Sequence, residues 1–126
     1  MSLSEQGHRI KAMNAKIRSL RRRIDEIKTQ ITALGDLRPG SLSQQYNVCG
    51  KPGCRCKADP PQKHGPYYQL GWTRKGRSTT RFVRLENLSE VRNEIKTYER
   101  LQALVDRWVE LSMALCEIKC ARGAGS

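Results

Sequence analysis

The sequence predicts an α+β fold in which two long helices flank a small inserted β module. Three observations predict it. Apolar residues recur at alternating spacings of three and four through the first third of the 126-residue chain. The same rhythm returns in the last third, while the middle third replaces it with Gly/Pro turns and an alternating run of apolar and polar residues. Hydrophobic content of 37% and a mean hydropathy of −0.69 argue against a large globular core.

The first helix is expected over residues 4–35. Ile10, Met13, Ile17, Leu20, Ile24, Ile27, Ile31 and Leu34 make an unbroken heptad seam with no Gly or Pro among them. Ser4 or Ser2 is a suitable N-cap, and Gly35 stands where a C-cap glycine belongs. The turn signal Arg38-Pro39-Gly40 then ends the segment.

The middle module is expected over 38–85. Residues 42–49 read as a short strand or a helical turn, and 67–84 read as a β-hairpin. A three-residue loop, Arg74-Lys75-Gly76, pairs Tyr68 with Phe82, Leu70 with Thr80 and Trp72 with Ser78, which gathers the large apolar groups on one face. The opposite face then carries Gln69, Thr73, Arg77, Thr79 and Arg81. A two-residue loop would set Arg81 beside Leu70 and move Phe82 away from Tyr68, so the three-residue loop is the expectation.

The last helix is expected over 87–120, capped by Ser89 or Asn87 and fraying towards the Ala121–Ser126 tail. Leu88, Val91, Ile95 and Tyr98 form one seam; Leu101, Leu104, Trp108, Leu111, Leu115 and Ile118 form another. The two meet at 98 and 101, where a spacing of three replaces four, so a local rotation of the stripe is expected. A parallel self-pairing of the first helix would set Lys16, Arg21, Arg23 and Lys28 against like charges. The acid-rich last helix is the better partner, giving an antiparallel coiled-coil hairpin with the β module at its tip. Two such hairpins can associate into a four-helix bundle, so a homodimer through the helices is expected. These stripes are core and carry no chemistry.

Chemistry points instead to the middle. Cys49, Cys54, Cys56 and His64 lie within sixteen residues as C-x4-C-x-C-x7-H. Three soft thiolates and an imidazole suit a tetrahedral Zn2+ ion. Gly50, Pro52, Gly53 and Pro60-Pro61 supply the turns that let close-spaced ligands converge. Between Cys49 and His64 the only other apolar side chains are Ala58 and the prolines, so this loop has no core to fold around and metal ligation would hold it. The competing reading is ordinary free thiols, with His64 as a turn residue before Gly65-Pro66; an iron–sulfur cluster would normally want a fourth cysteine. Cys116 and Cys120, one helical turn apart, resemble a second metal pair with His8 but are taken as small or idle thiols.

Charge concentrates in the same place. Residues 37–84 hold ten Lys/Arg against the single acid Asp59, and account for most of the net charge of +12. A solubility surface alone does not require that imbalance, and a concentrated positive field suits a phosphate backbone, an anionic membrane or an acidic protein partner. No stretch approaches the roughly 18 apolar residues of a membrane span. His8, Arg9 and Lys11 arrive too early for a signal peptide, and five cysteines, an odd number, fit a reducing compartment, so a cytoplasmic location is expected.

The run Gly40-Ser41-Leu42, Cys49-Gly50-Lys51, Cys54-Arg55-Cys56 and His64-Gly65-Pro66-Tyr67-Tyr68-Gln69-Leu70 resembles an uncharacterised family of small bacterial and archaeal proteins. The likeness spans roughly residues 38–118. It implies a helix-flanked module, a joint role for the Cys and His residues and a setting near mobile elements, but no activity.

The function expected is non-catalytic nucleic-acid binding, DNA before RNA, because a two-stranded ribbon fits a major groove. Arg77 and Arg81, with Gln69, Thr73 and Thr79 between them, are the expected base readers. Lys51, Arg55, Lys57, Lys63, Arg74 and Lys75 are the expected phosphate contacts, with Arg21, Arg22 and Arg23 adding to them. The alternative is an adaptor that docks a larger protein, such as a transposase, with a purely structural metal site. An enzyme is disfavoured: Asp59 is the only carboxylate near the cluster, no nucleophile–base pair is visible, and four protein ligands leave zinc no open position.

Overall fold

The computed structural model describes the backbone of residues 3–124 and the side-chain surroundings of residues 5–123. Helix α1 runs Leu3–Thr32, strands β1, β2 and β3 run Ser41–Asn47, His64–Arg74 and Arg77–Val83, and helix α2 runs Leu88–Ala124. Short 3-10 turns occupy Arg55–Lys57 and Leu85–Asn87. The fold is therefore α+β, with a three-stranded antiparallel sheet in the order β1-β2-β3. No described helix is long and apolar enough to cross a membrane.

The chain divides into two compact units, residues 1–34 with 100–126 and residues 35–99. In the first, the middle of the α1 heptad seam, Ile17, Leu20, Ile24 and Ile27, is buried, and Met13, Ile31 and Leu34 are partly so. Leu20, Ile24 and Ile27 form a core with Leu104 and Leu111, and Ile31, Leu34, Trp108, Leu115 and Ile118 pack against it. Arg100 donates to the Gln30 side chain at 2.8 Å and Arg122 to that of Asn14 at 3.0 Å. The order of those pairs makes the two helical segments antiparallel. Lys28 Nζ sits 5.2 Å over the Trp108 ring, a cation–π contact at the edge of this core. Ile10, the first member of the seam, is half exposed.

In the second unit Leu70, only 2% exposed, meets Val91 and Ile95 of α2, with Leu42, Trp72 and Val83 around them. Arg38 links the chain after α1 to α2 twice: its N–H donates to the Glu94 carbonyl at 3.2 Å, and its Nε lies 3.0 Å from Glu94 Oε1. The break in the α2 heptad has a structural meaning. Val91 and Ile95 serve the sheet, whereas Leu104 and Leu111 serve α1, and the seam shifts where the helix changes partner.

Several helix ends differ from expectation. α1 ends at Thr32 rather than at 35, with Ala33 N–H bonded to the Thr29 carbonyl and Leu34 N–H to that of Ile31. Gly35 is not among the glycines of positive φ and so forms no left-handed cap. Ser4 lies inside α1 and Ser2 lies outside the described residues. A 3-10 turn over Leu85–Asn87 leads into α2, which stays helical to Ala124 and so covers part of the tail expected to fray; residues 125 and 126 lie outside the described residues.

The hairpin register corrects a larger expectation. Arg74 pairs with Arg77, Leu70 with Arg81 and Tyr68 with Val83. The loop is thus the two-residue Lys75-Gly76, not Arg74-Lys75-Gly76. Lys75 has φ 51° and Gly76 φ 76°, the left-handed pair of a type I′ turn, whose twist matches that of the flanking strands. The packing reason lies outside the hairpin. Matching apolar groups across two strands favours Tyr68 beside Phe82, but the apolar face must also meet α2, and this register delivers Val83 to that layer and leaves Phe82 70% exposed.

Candidate metal centre

The cluster is built by a loop that supplies its own turns. β1 ends at Asn47, two residues before Cys49, and β2 begins at His64, so the strands bring the first and last donors together. Between them Cys54 N–H bonds the Lys51 carbonyl, Lys57 N–H that of Cys54, and both Ala58 and Gln62 N–H that of Arg55. These bonds turn the chain tightly enough to aim Cys54 and Cys56 at one point.

There the ligand atoms of Cys49, Cys54, Cys56 and His64 all lie within 4.8 Å of one another. Cys49 Sγ and Cys56 Sγ are 3.5 Å apart, and Cys54 Sγ is 3.2 Å from His64 Nε2. A zinc tetrahedron with Zn–S about 2.3 Å has edges of about 3.8 Å, so the donor set and its spacing fit a metal ion of that kind. Cys49 N–H also donates to Cys56 Sγ at 3.3 Å, the sort of bond that stabilises a metal-bound thiolate. This is the one convergent group of three or more metal-ligating side chains among the described residues. Cys116 and Cys120 are exposed and outside it.

The electrostatics of the two central thiols differ. The Cys56 backbone N–H, then the thiols of Cys56 and Cys49, hold Cys54 down at about 6 against an ordinary 9.0. Cys56 is fully buried, and its desolvation pushes it up. Cys54 is therefore the thiol more readily ionised, and Cys56 is the donor enclosed on the inner side of the cluster.

His64 is placed by its neighbour. Gly65 has φ 138°, and a Cβ there would lie 2.8 Å from the Gln45 carbonyl oxygen and 3.0 Å from Tyr46 Cδ1. Only glycine lets β2 start so close to β1, and that approach sets His64 opposite Asn47.

The basic residues fall in three groups. Lys51, Arg55, Lys57 and Lys63 are exposed on the ligand loop, and none has a carboxylate partner among the described residues. Arg74, Lys75 and Arg77 cluster at the hairpin turn, also exposed. Arg21, Arg22 and Arg23 are exposed on α1, in the other unit.

The expected base-reading face does not exist as a single surface. With Leu70 opposite Arg81 and Thr73 opposite Ser78, Arg77, Thr79 and Arg81 lie on the Leu70 face, while Gln69 and Thr73 lie on the other. Arg81 reaches over Trp72 at 5.9 Å, consistent with that assignment. The one-residue change of register moves every β3 side chain across the sheet.

Sequence reasoning overlooked the surface this creates. Tyr67 and Phe82 stand exposed on the sheet face away from Leu70. Lys75-Gly76 was the available signal, since glycine at the second position of a two-residue loop marks a type I′ hairpin.

A family model described as a domain of unknown function matches residues 17–93, from within α1 to the first turns of α2. No curated protein and no solved structure matches the chain.

Proposed function

We propose, from the premise that the chain belongs to the DUF6788 family, that it is a non-catalytic nucleic-acid-binding protein, DNA first, whose β module is held by a structural zinc ion. The observation that carries this reading is the convergence of three thiols and one imidazole within 4.8 Å on a cation-rich loop. Zinc, when bound, would cross-link a segment whose only fully buried side chain is that of Cys56. Cys49, Cys54, Cys56 and His64 fill all four positions, which suits a structural role and leaves none for substrate.

Lys51, Arg55, Lys57 and Lys63 then project from a rigid loop and, with Arg74, Lys75, Arg77 and Arg81, serve as phosphate contacts. Arg21, Arg22 and Arg23 are a further set on α1. The helices act as an antiparallel coiled-coil hairpin that carries the module, and the motif resemblance suggests an accessory factor of a mobile element. With six to ten phosphates neutralised, affinity falls by about 10³–10⁵-fold between 50 and 200 mM salt. Titration of labelled DNA across that range tests the reading, and a flat response contradicts it.

A second reading, the adaptor, has its own support. α2 exposes a second apolar stripe, with Val105 42%, Val109 49% and Met113 65% exposed beside Trp108 and Cys116. On that reading the stripe forms a dimer or docks a larger protein, and the chain gives a stoichiometric protein complex with little affinity for naked DNA. A pull-down run beside the DNA titration separates the two.

A further inference from the structure

We propose that the sheet face turned away from α2 is a stacking platform for single-stranded nucleic acid; the proposal rests on the nucleic-acid reading above and names its substrate class. The face is defined by register. Gln45 pairs with Tyr67, Ser43 with Gln69, Gln69 with Phe82 and Gly71 with Thr80. Paired residues point to the same side, so Tyr67 and Phe82 share a surface with Ser43, Gln45, Gln69 and Thr80. Gln45 Nε2 donates to Gln69 Oε1 at 2.6 Å, which places those two side chains on one face, and Ser43 Oγ donates to the Gln69 backbone carbonyl at 3.4 Å.

This surface has an unusual make-up for a chain of net charge +12. Its side chains are amides, hydroxyls and two aromatic rings, without a charge among them. Tyr67 is 44% and Phe82 70% exposed, and Phe82 is the only phenylalanine in the sequence. Phe82 lies opposite Gln69 and so diagonal to Tyr67 on the neighbouring strand, a separation of about 7–8 Å. Rings so displayed on an open sheet suit unstacked bases, whose faces are free, and the amides beside them suit base edges. A duplex hides those faces within its own stack and offers this uncharged surface little.

The charges sit at the margins, where a backbone would run. Lys63 precedes β2 at one end, and Lys75 lies in the hairpin turn at the other. Arg84 lines a concavity of about 330 Å³ with Tyr67 and Phe82. Bases over the centre and phosphates at the rim is the charge complementarity a single strand requires and an apolar protein segment does not.

The test uses the full zinc-loaded chain and short fluorescein-labelled oligonucleotides of one sequence as single-stranded DNA, single-stranded RNA and duplex DNA. Polarisation titrations are expected to show tighter binding to a single strand than to the duplex, the DNA and RNA arms identifying which. Phe82→Ala is expected to lose about 5–150-fold of single-strand affinity, the range for one stacked base, with duplex binding unchanged. Phe82→Tyr is expected to retain the affinity, and far-ultraviolet circular dichroism with thermal denaturation checks that each variant folds. Equal binding of single strand and duplex, or a Phe82→Ala variant that binds both as the parent does, overturns the platform while leaving the polyanion reading intact. Absence of binding to all three oligonucleotides overturns both.

Discussion

Cys54 and Cys56 stand two residues apart and meet opposite environments. Backbone and thiol donors stabilise the Cys54 thiolate, while burial penalises that of Cys56. Thiolate is the nucleophile, so in metal-free protein the Cys54 reaction with iodoacetamide rises with pH through about 6 rather than through 9.0. At pH 7 peptide mass spectrometry should find Cys54 alkylated well before Cys56, and equal rates would contradict the assigned environments. Zinc should protect both. Gly65→Ala places a methyl against the Gln45 carbonyl and strains a φ of 138°. A loss of about 1–3 kcal/mol is expected, read as a lower midpoint in thermal denaturation together with weaker metal retention. At this scale the sequence was legible where residue type decides. Three cysteines and a histidine with turns between them announce a metal centre; which thiol is buried depends on the folded loop, and no spacing records it.

The hairpin shows where an element outruns its own sequence. Its strands were legible from alternation, although β2 starts three residues earlier than expected, at His64. Its register was not, because α2 supplies the layer that decides which residues are inside. Since Lys75 and Gly76 both hold positive φ, Lys75→Asn should raise stability by a few tenths to about 1 kcal/mol, whereas Gly76→Ala should lower it by about 1 kcal/mol or more. Chemical denaturation of the two variants checks the sign; stabilisation by Gly76→Ala would favour a different turn. The helices were read more completely, since a heptad seam over many turns exceeds any local ambiguity. Their ends were not, because Gly35 has the right identity for a cap without the left-handed conformation.

The whole chain combines two units with different sources of stability. Residues 1–34 and 100–126 are held by a leucine and isoleucine seam, and residues 35–99 by one small cluster around Leu70, with metal binding at the Cys/His centre proposed as their second support. Stripping the metal should therefore loosen 35–99, seen as faster amide exchange in β1, β2 and the ligand loop, while the Leu20, Ile24 and Leu104 segments remain protected. Function was the least legible property, because charge and composition suggest a polyanionic partner without naming its form, and the face proposed to discriminate among forms depends on a register set by packing. The proposed function rests on metal binding at the Cys/His centre. Elemental analysis of reduced protein purified without added zinc tests that most directly. One zinc per chain, lost on Cys56→Ser, is the predicted result; a metal-free chain with its sheet intact and Cys49, Cys54 and Cys56 freely titrating would contradict it.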